Sequence, residues 1–163
     1  MDTDEAYVEW ATAAQHGLLR FAVLLTGDRH RSEDLVQEAL TKVAQRWRSL
    51  RDGNPTAYAH RILVRDNISW WRRHRREVVR EPEDRPTTDL DPSRRIDLER
   101  ALSTLTPRQR AVIALRFYAD LTEAQTADAM GVAIGTVKSQ THLALRRLRE
   151  AAPHLAELLE DPR

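Results

Sequence analysis

Two stretches of this sequence concentrate side chains able to act on a polyanion. His60 to Arg80 carries seven Arg and two acids. Surface rings can stack on unpaired bases while guanidinium groups neutralise phosphates. Tyr58, Trp70 and Trp71 would supply the rings, and Arg61, Arg65, Arg72 and Arg73 the cations. The second stretch, Lys138 to Arg149, holds one Lys, three Arg and no acid. There Lys138, Ser139, His142 and Arg146 recur at helical spacing, with short polar groups suited to base edges and long cations suited to phosphates. A third pattern is acidic: Asp34, Gln37 and Glu38 stand at i, i+3 and i+4 and share one helix face. That face can offer acceptors to basic residues on a partner helix, with Leu35 packing inward.

Other chemistries find little support. The absence of cysteine excludes disulfides, thiolate metal sites and Cys nucleophiles, and fits a reducing cytoplasm. His16, His30, His60 and His74 lack the i, i+4 spacing of a metal-binding helix, and His142 and His154 are too far apart to form a local motif. No Gly-rich phosphate loop or nucleophile motif occurs, so an enzyme, a metal or another cofactor is not expected. The acidic start, MDTDEAYVEW, has no apolar core and does not read as a secretory signal. No apolar run approaches the ~20 residues of a membrane span, and a cytoplasmic protein is expected.

The elements that must position these residues are helices. Apolar residues make up 41% of the chain and glycines number only five, which disfavours turn-rich β folds. Trp10, Ala14, Leu18, Phe21 and Leu25 line one face of a helix over about 5–25, stopped at Gly27. Leu35, Val36, Ala39, Leu40, Val43 and Trp47 line a second over about 30–47, capped by Asp28 or Ser32. Asp52-Gly53-Asn54-Pro55 is a loop, and a third helix runs over about 56–76 with Tyr58, Ile62, Leu63, Ile68 and Trp71 in apolar contacts.

Composition then shifts. EPEDRPTTDLDP holds three Pro and five acids and reads as a flexible, exposed linker. Further helices are expected over 97–105, from Pro107 behind a Thr106 cap, over about 122–130, and over about 135–150. The last two form a helix-turn-helix: Ala127 is small where the helices cross, and Gly131 sits where the turn needs positive φ. Ile134, Val137, Thr141, Leu145 and Leu148 are expected to face inward. The fold class is therefore all-α: two small helical domains, 1–80 and 97–163, joined by a linker over 81–96. Net charge is only +1, yet two basic segments flank an acidic one, which suggests two points of contact with a polyanion.

The two halves together resemble the extracytoplasmic-function sigma factors, the smallest class of bacterial sigma factor. Residues 5–80 are similar to sigma region two and residues 97–150 to region four. Ser32-Glu33-Asp34-Leu35-Val36-Gln37-Glu38 resembles the family signature that grips the polymerase clamp. The resemblance assigns Asp34, Leu35, Gln37 and Glu38 to polymerase binding. The stretch from Tyr58 to Arg73 resembles the segment that recognises and melts the promoter −10 element, which implies roles for Tyr58, Arg61, Arg65, Trp70, Arg72 and Arg73. The loop from Ser49 to Pro55, with Asn54, corresponds to the family's pocket for a flipped base. In the helix-turn-helix, Thr136, Lys138, Ser139, Gln140, His142 and Arg146 are implied in −35 binding. Implied partners are core RNA polymerase through its beta and beta-prime subunits, promoter DNA and an anti-sigma factor. No further carboxy-terminal domain is expected.

The sequence departs from the family pattern in places. Relatives often carry Asn at the position of Arg65 and Arg at that of Gln140, and Ala133 replaces a capping Ser. A weaker or altered −35 preference is expected. The rival reading is a conventional helix-turn-helix regulator that does not replace the sigma subunit. Such a protein should carry a dimerisation helix or ligand pocket in its first half, where this chain has a small helical unit with a basic third helix.

Overall fold

The computed structural model describes residues 3–75 and 92–154, and among them no strand occurs. The chain divides into two units, Met1–Glu83 and Asp84–Arg163.

In the first unit, α1 (Thr3–Thr26) ends where Gly27 takes a φ of 69°. Asp28 caps α2 (Arg29–Gln45), its carboxylate accepting from the Arg31 N–H at 3.0 Å. Ser32 plays a different part: its hydroxyl donates to the Asp28 carbonyl and lies 2.7 Å from the Thr26 hydroxyl. The second helix stops earlier than its apolar pattern suggests. Arg46 leaves helical geometry, and Trp47 opens a separate short turn, α3 (Trp47–Leu50). Asn54 caps α4 (Pro55–His74), whose first residue is the proline. α2 packs against both α1 and α4. Leu18, Phe21, Leu25, Val43, Leu63 and Val64 are fully enclosed. Each such side chain contributes about 1.5–3 kcal/mol through its burial. Tyr7, Trp10 and Trp47 cluster at the far end, with centroids 5.5–6.1 Å apart.

In the second unit, α5 (Pro92–Ser103) begins inside the stretch expected to be linker. The helix thus starts at the last proline of that stretch, the position where a missing N–H costs least. The rest of the 81–96 linker expectation lies outside the described residues. Thr106 and Gln109 form a reciprocal capping box for α6 (Pro107–Ile113). This helix runs on as a π-helical turn, Ala114–Tyr118. Buried Arg116 donates from Nη1 to the Leu121 carbonyl at 2.6 Å and so holds the loop into the next helix. A second capping box, Thr122 with Gln125, starts α7 (Glu123–Met130). Gly131 stops it at φ 67°, and the Val132 N–H closes the turn on the Ala127 carbonyl at 3.0 Å. α8 (Ile134–Ala151) buries Val137, Thr141, Ala144, Leu145 and Leu148 against α5, α6 and α7. Ile134 does not join them. It is 45% exposed.

Candidate functional site

Three surfaces carry the residues singled out by type and spacing. On α2, Asp34, Gln37 and Glu38 are all exposed, with Thr41 one turn further on. Leu35, on the same signature, packs inward and is only 8% exposed. Glu38 is already engaged. Lys42 lies 3.1 Å from its carboxylate and 2.7 Å from that of Asp66 on α4. The hydrogen bond to Asp66 is the largest cause holding the Lys42 ammonium above its ordinary pKa.

The basic surface lies on α4. At 100° per residue, Tyr58, Arg61, Arg65 and Arg72 fall within about 60° of one another, a stripe about 21 Å long. Arg65, Arg72 and Arg73 are exposed, and Tyr58 and Arg61 are half-buried. The opposite side holds Ala59, His60, Leu63 and Asn67 in the core, so packing turns the cations outward. Asn54 is exposed, but its side-chain oxygen is used in capping, accepting from the Ala57 N–H at 2.9 Å.

The two tryptophans of α4 lie close together near its end. Both are half-buried, and their rings meet edge-on at 5.3 Å and 88°. Trp70 stacks on His74, with centroids 4.4 Å apart, and the Arg31 guanidinium sits 3.7 Å from its ring centroid. Arg31 also donates to Oδ1 of Asn67, which is completely buried. Burial lowers the Arg31 pKa to about 10, against a partial opposing effect of Asp28. At neutral pH the group keeps its charge. Arg31 did not stand out in the sequence, and Asn67 stood out only as pointing away from the side of Arg65. The signal was an Arg on the first turn of α2 and an Asn on the apolar side of α4.

On α8, Ser139, His142 and Arg146 are exposed and share a stripe about 60° wide. Lys138 sits at one edge, 3.7 Å from Glu123 of α7. Thr136 and Gln140 lie on the other flank and are half-buried. Ser139 donates its hydroxyl to the Thr136 carbonyl at 3.0 Å. The six expected residues therefore form one central stripe and two flanks rather than a single face. Ala133 offers no side-chain cap to this helix.

A helix-turn-helix unit together with a second helical unit bearing a basic stripe defines the class of DNA-directed proteins. Residues 11–77 match the family model described as Sigma-70 region 2, and residues 101–150 match Sigma-70, region 4. The chain is 35% identical over 150 residues to the RNA polymerase sigma-E factor of Streptomyces coelicolor, covering 88% of this chain and 84% of that protein. It is 34% identical over 142 residues to the ECF RNA polymerase sigma factor SigL of Mycobacterium tuberculosis, covering 81% and 80%. A solved sigma factor, RpoE of Bartonella quintana in complex with the anti-sigma factor NepR, superposes with a TM-score of 0.70 at 28% identity, over 90% of this chain and 96% of that one. The chain belongs to the extracytoplasmic-function sigma factors of RNA polymerase. It acts in transcription initiation by binding core polymerase and directing it to promoter DNA, which sets aside the reading as a conventional regulator.

Proposed function

We propose that each unit of this sigma factor lays one surface on polymerase and another on the promoter. The acidic face of α2, with Asp34, Gln37 and Glu38, docks on basic residues of a clamp helix, and Leu35 sets its angle from within. The α4 stripe follows the −10 element, its Arg residues on phosphates and its rings on unpaired bases. The α8 stripe of Ser139, His142 and Arg146 reads the −35 element, with Lys138, Thr136 and Gln140 at its margins. A first domain over 1–80 and a second that includes all of α5, from Pro92, suit this division. The protein is read as a non-catalytic cytoplasmic factor, with chemistry left to polymerase. An anti-sigma factor, such as the one bound to the Bartonella relative, would act by covering the α2 face.

The observation that carries this reading is the separation of charge within the first unit. The acids of α2 and the cations of α4 face solvent from two helices packed on one core. Acids that meet polymerase repel free DNA, so neither unit alone should bind a promoter tightly. Two weak contacts at fixed spacing become strong together once polymerase holds both. Gel shift with and without core polymerase tests this. The chain alone should bind promoter DNA poorly, and core should rescue binding and start transcription without another sigma subunit. Tight sequence-specific binding by the isolated chain would overturn the mechanism, as would failure to associate with core.

A further inference from the structure

The stripe on α4 ends beside a polar cluster that neither docking surface explains. Arg31, on the first turn of α2, projects onto the last turns of α4. Its guanidinium lies 3.7 Å from the Trp70 ring centroid and 5.5 Å from that of Trp71, and it donates to Asn67 Oδ1. This is an unusual place for a half-buried cation. Arg72, Arg73 and His74 follow directly on the same helix, and no carboxylate salt bridge holds Arg31 among the described residues. Two ring faces and one amide oxygen hold it, with the Asp28 carboxylate adding a longer-range attraction.

The cluster is also incompletely satisfied. Arg31 Nε and Asn67 Nδ2 are both buried without a hydrogen-bond partner. Nearly all buried polar groups in folded proteins are paired, and exceptions concentrate where geometry serves something other than stability. An apolar residue at position 31 could cover the rings, but it would leave the buried Asn67 Oδ1 without its donor. The guanidinium, in contrast, can fix an indole plane, because a flat cation over a π face has a preferred geometry that an aliphatic chain lacks.

The consequence falls on which ring is available. Trp70 is engaged by Arg31 and stacked on His74, whose ring nitrogen lies 2.9 Å from the Trp70 carbonyl oxygen. Trp71 meets Trp70 edge-on, so its plane follows from that of Trp70. On the helix Trp71 stands about 100° from the Arg stripe, and Trp70 about 160° from it. We infer that Arg31 is a positioning residue for promoter melting: it pins Trp70 as a buttress so that Trp71 is the ring set against an unpaired base. This inference rests on the reading of the α4 surface as the −10 contact. It assigns the base-contacting ring to Trp71 in place of Trp70.

The test uses reconstituted holoenzyme with the full chain, on a promoter found by mapping transcription starts with that holoenzyme. Open complex is measured by permanganate reactivity on duplex promoter and on the same promoter carrying a premelted −10 bubble. Arg31→Gln removes the charge and keeps most of the length. It should lower open complex on duplex DNA by about tenfold, the scale of a desolvated cation–π contact, and leave the premelted template nearly unaffected. Arg31→Lys keeps the charge and should recover part of the loss. Trp71→Ala should mimic the duplex defect. Core binding, read by fluorescence anisotropy, should not change in any variant.

An equal loss on both templates, or a loss of core binding with Arg31→Gln, would show a general structural role and overturn the inference. So would duplex melting by Arg31→Gln that matches the unsubstituted chain. Open complex left unchanged by Arg65→Ala with Arg72→Ala would instead remove the reading of α4 beneath it.

Discussion

Acidification should destabilise the first unit through a single imidazole. His60 is buried on the core side of α4, stacked on Phe21 with centroids 4.2 Å apart. Burial pushes its pKa from 6.5 down to about 4. The sign follows from proton uptake. Between those values the unfolded chain binds a proton that the folded chain refuses, so stability falls as pH drops through the unfolded value. The contribution is complete at neutral pH and is lost over the window from about 6.5 to about 4. At 1.36 kcal/mol per unit, this is about 2 kcal/mol by about pH 5 and on the order of 3 kcal/mol by the end of the window. All four tryptophans lie in this unit, so fluorescence-detected urea unfolding reports on it selectively. The comparison is with His60→Leu, each protein referenced to its own stability at about pH 7.5. The remaining His and carboxylates are common to both proteins and cancel in the difference. The wild type should lose about 2 kcal/mol more than the variant by about pH 5. Parallel pH profiles would refute the reasoning and mean that His60 titrates as it does in water.

Three other outcomes are expected. Ala133→Ser should stabilise the second unit by about 1 kcal/mol by supplying the missing cap of α8, seen as slower amide exchange in its first turn. Gly131→Val should cost at least about 1–2 kcal/mol, because φ is 67° there, and should lower the thermal midpoint followed by circular dichroism. Asp34→Arg replaces an exposed residue, so its melting curve should stay within about 0.5 kcal/mol of wild type while affinity for core polymerase, measured by anisotropy, falls more than about tenfold.

Much of the architecture was legible because each helix carries its own signals. The Thr106 and Thr122 capping boxes, the stops at Gly27 and Gly131 and the stripe from Val137 to Leu148 are local features, decided by residues within a turn or two. The acidic signature on α2 and the Arg stripe on α4 were readable for the same reason, since spacing along one helix determines which residues share a face. Ile134 shows where this ends. Its spacing matches the buried stripe, yet it is exposed, because spacing within one helix does not say what packs over a residue.

Sequence alone thus determined the helical class, the helix-turn-helix and the acidic and basic faces, because these rest on short-range periodicity and capping. Only the tertiary structure decided what the side chains at helix crossings do. Lys42 bridges Glu38 and Asp66, and Arg31 reaches Asn67 and both indoles from a helix whose own pattern gives no hint of them. Lys42 and Asp66 stand 24 residues apart in the chain, and Arg31 and Asn67 stand 36 apart. Periodicity within a helix carries no information about the angle at which another helix crosses it, and that angle determines which long side chain lies over which ring.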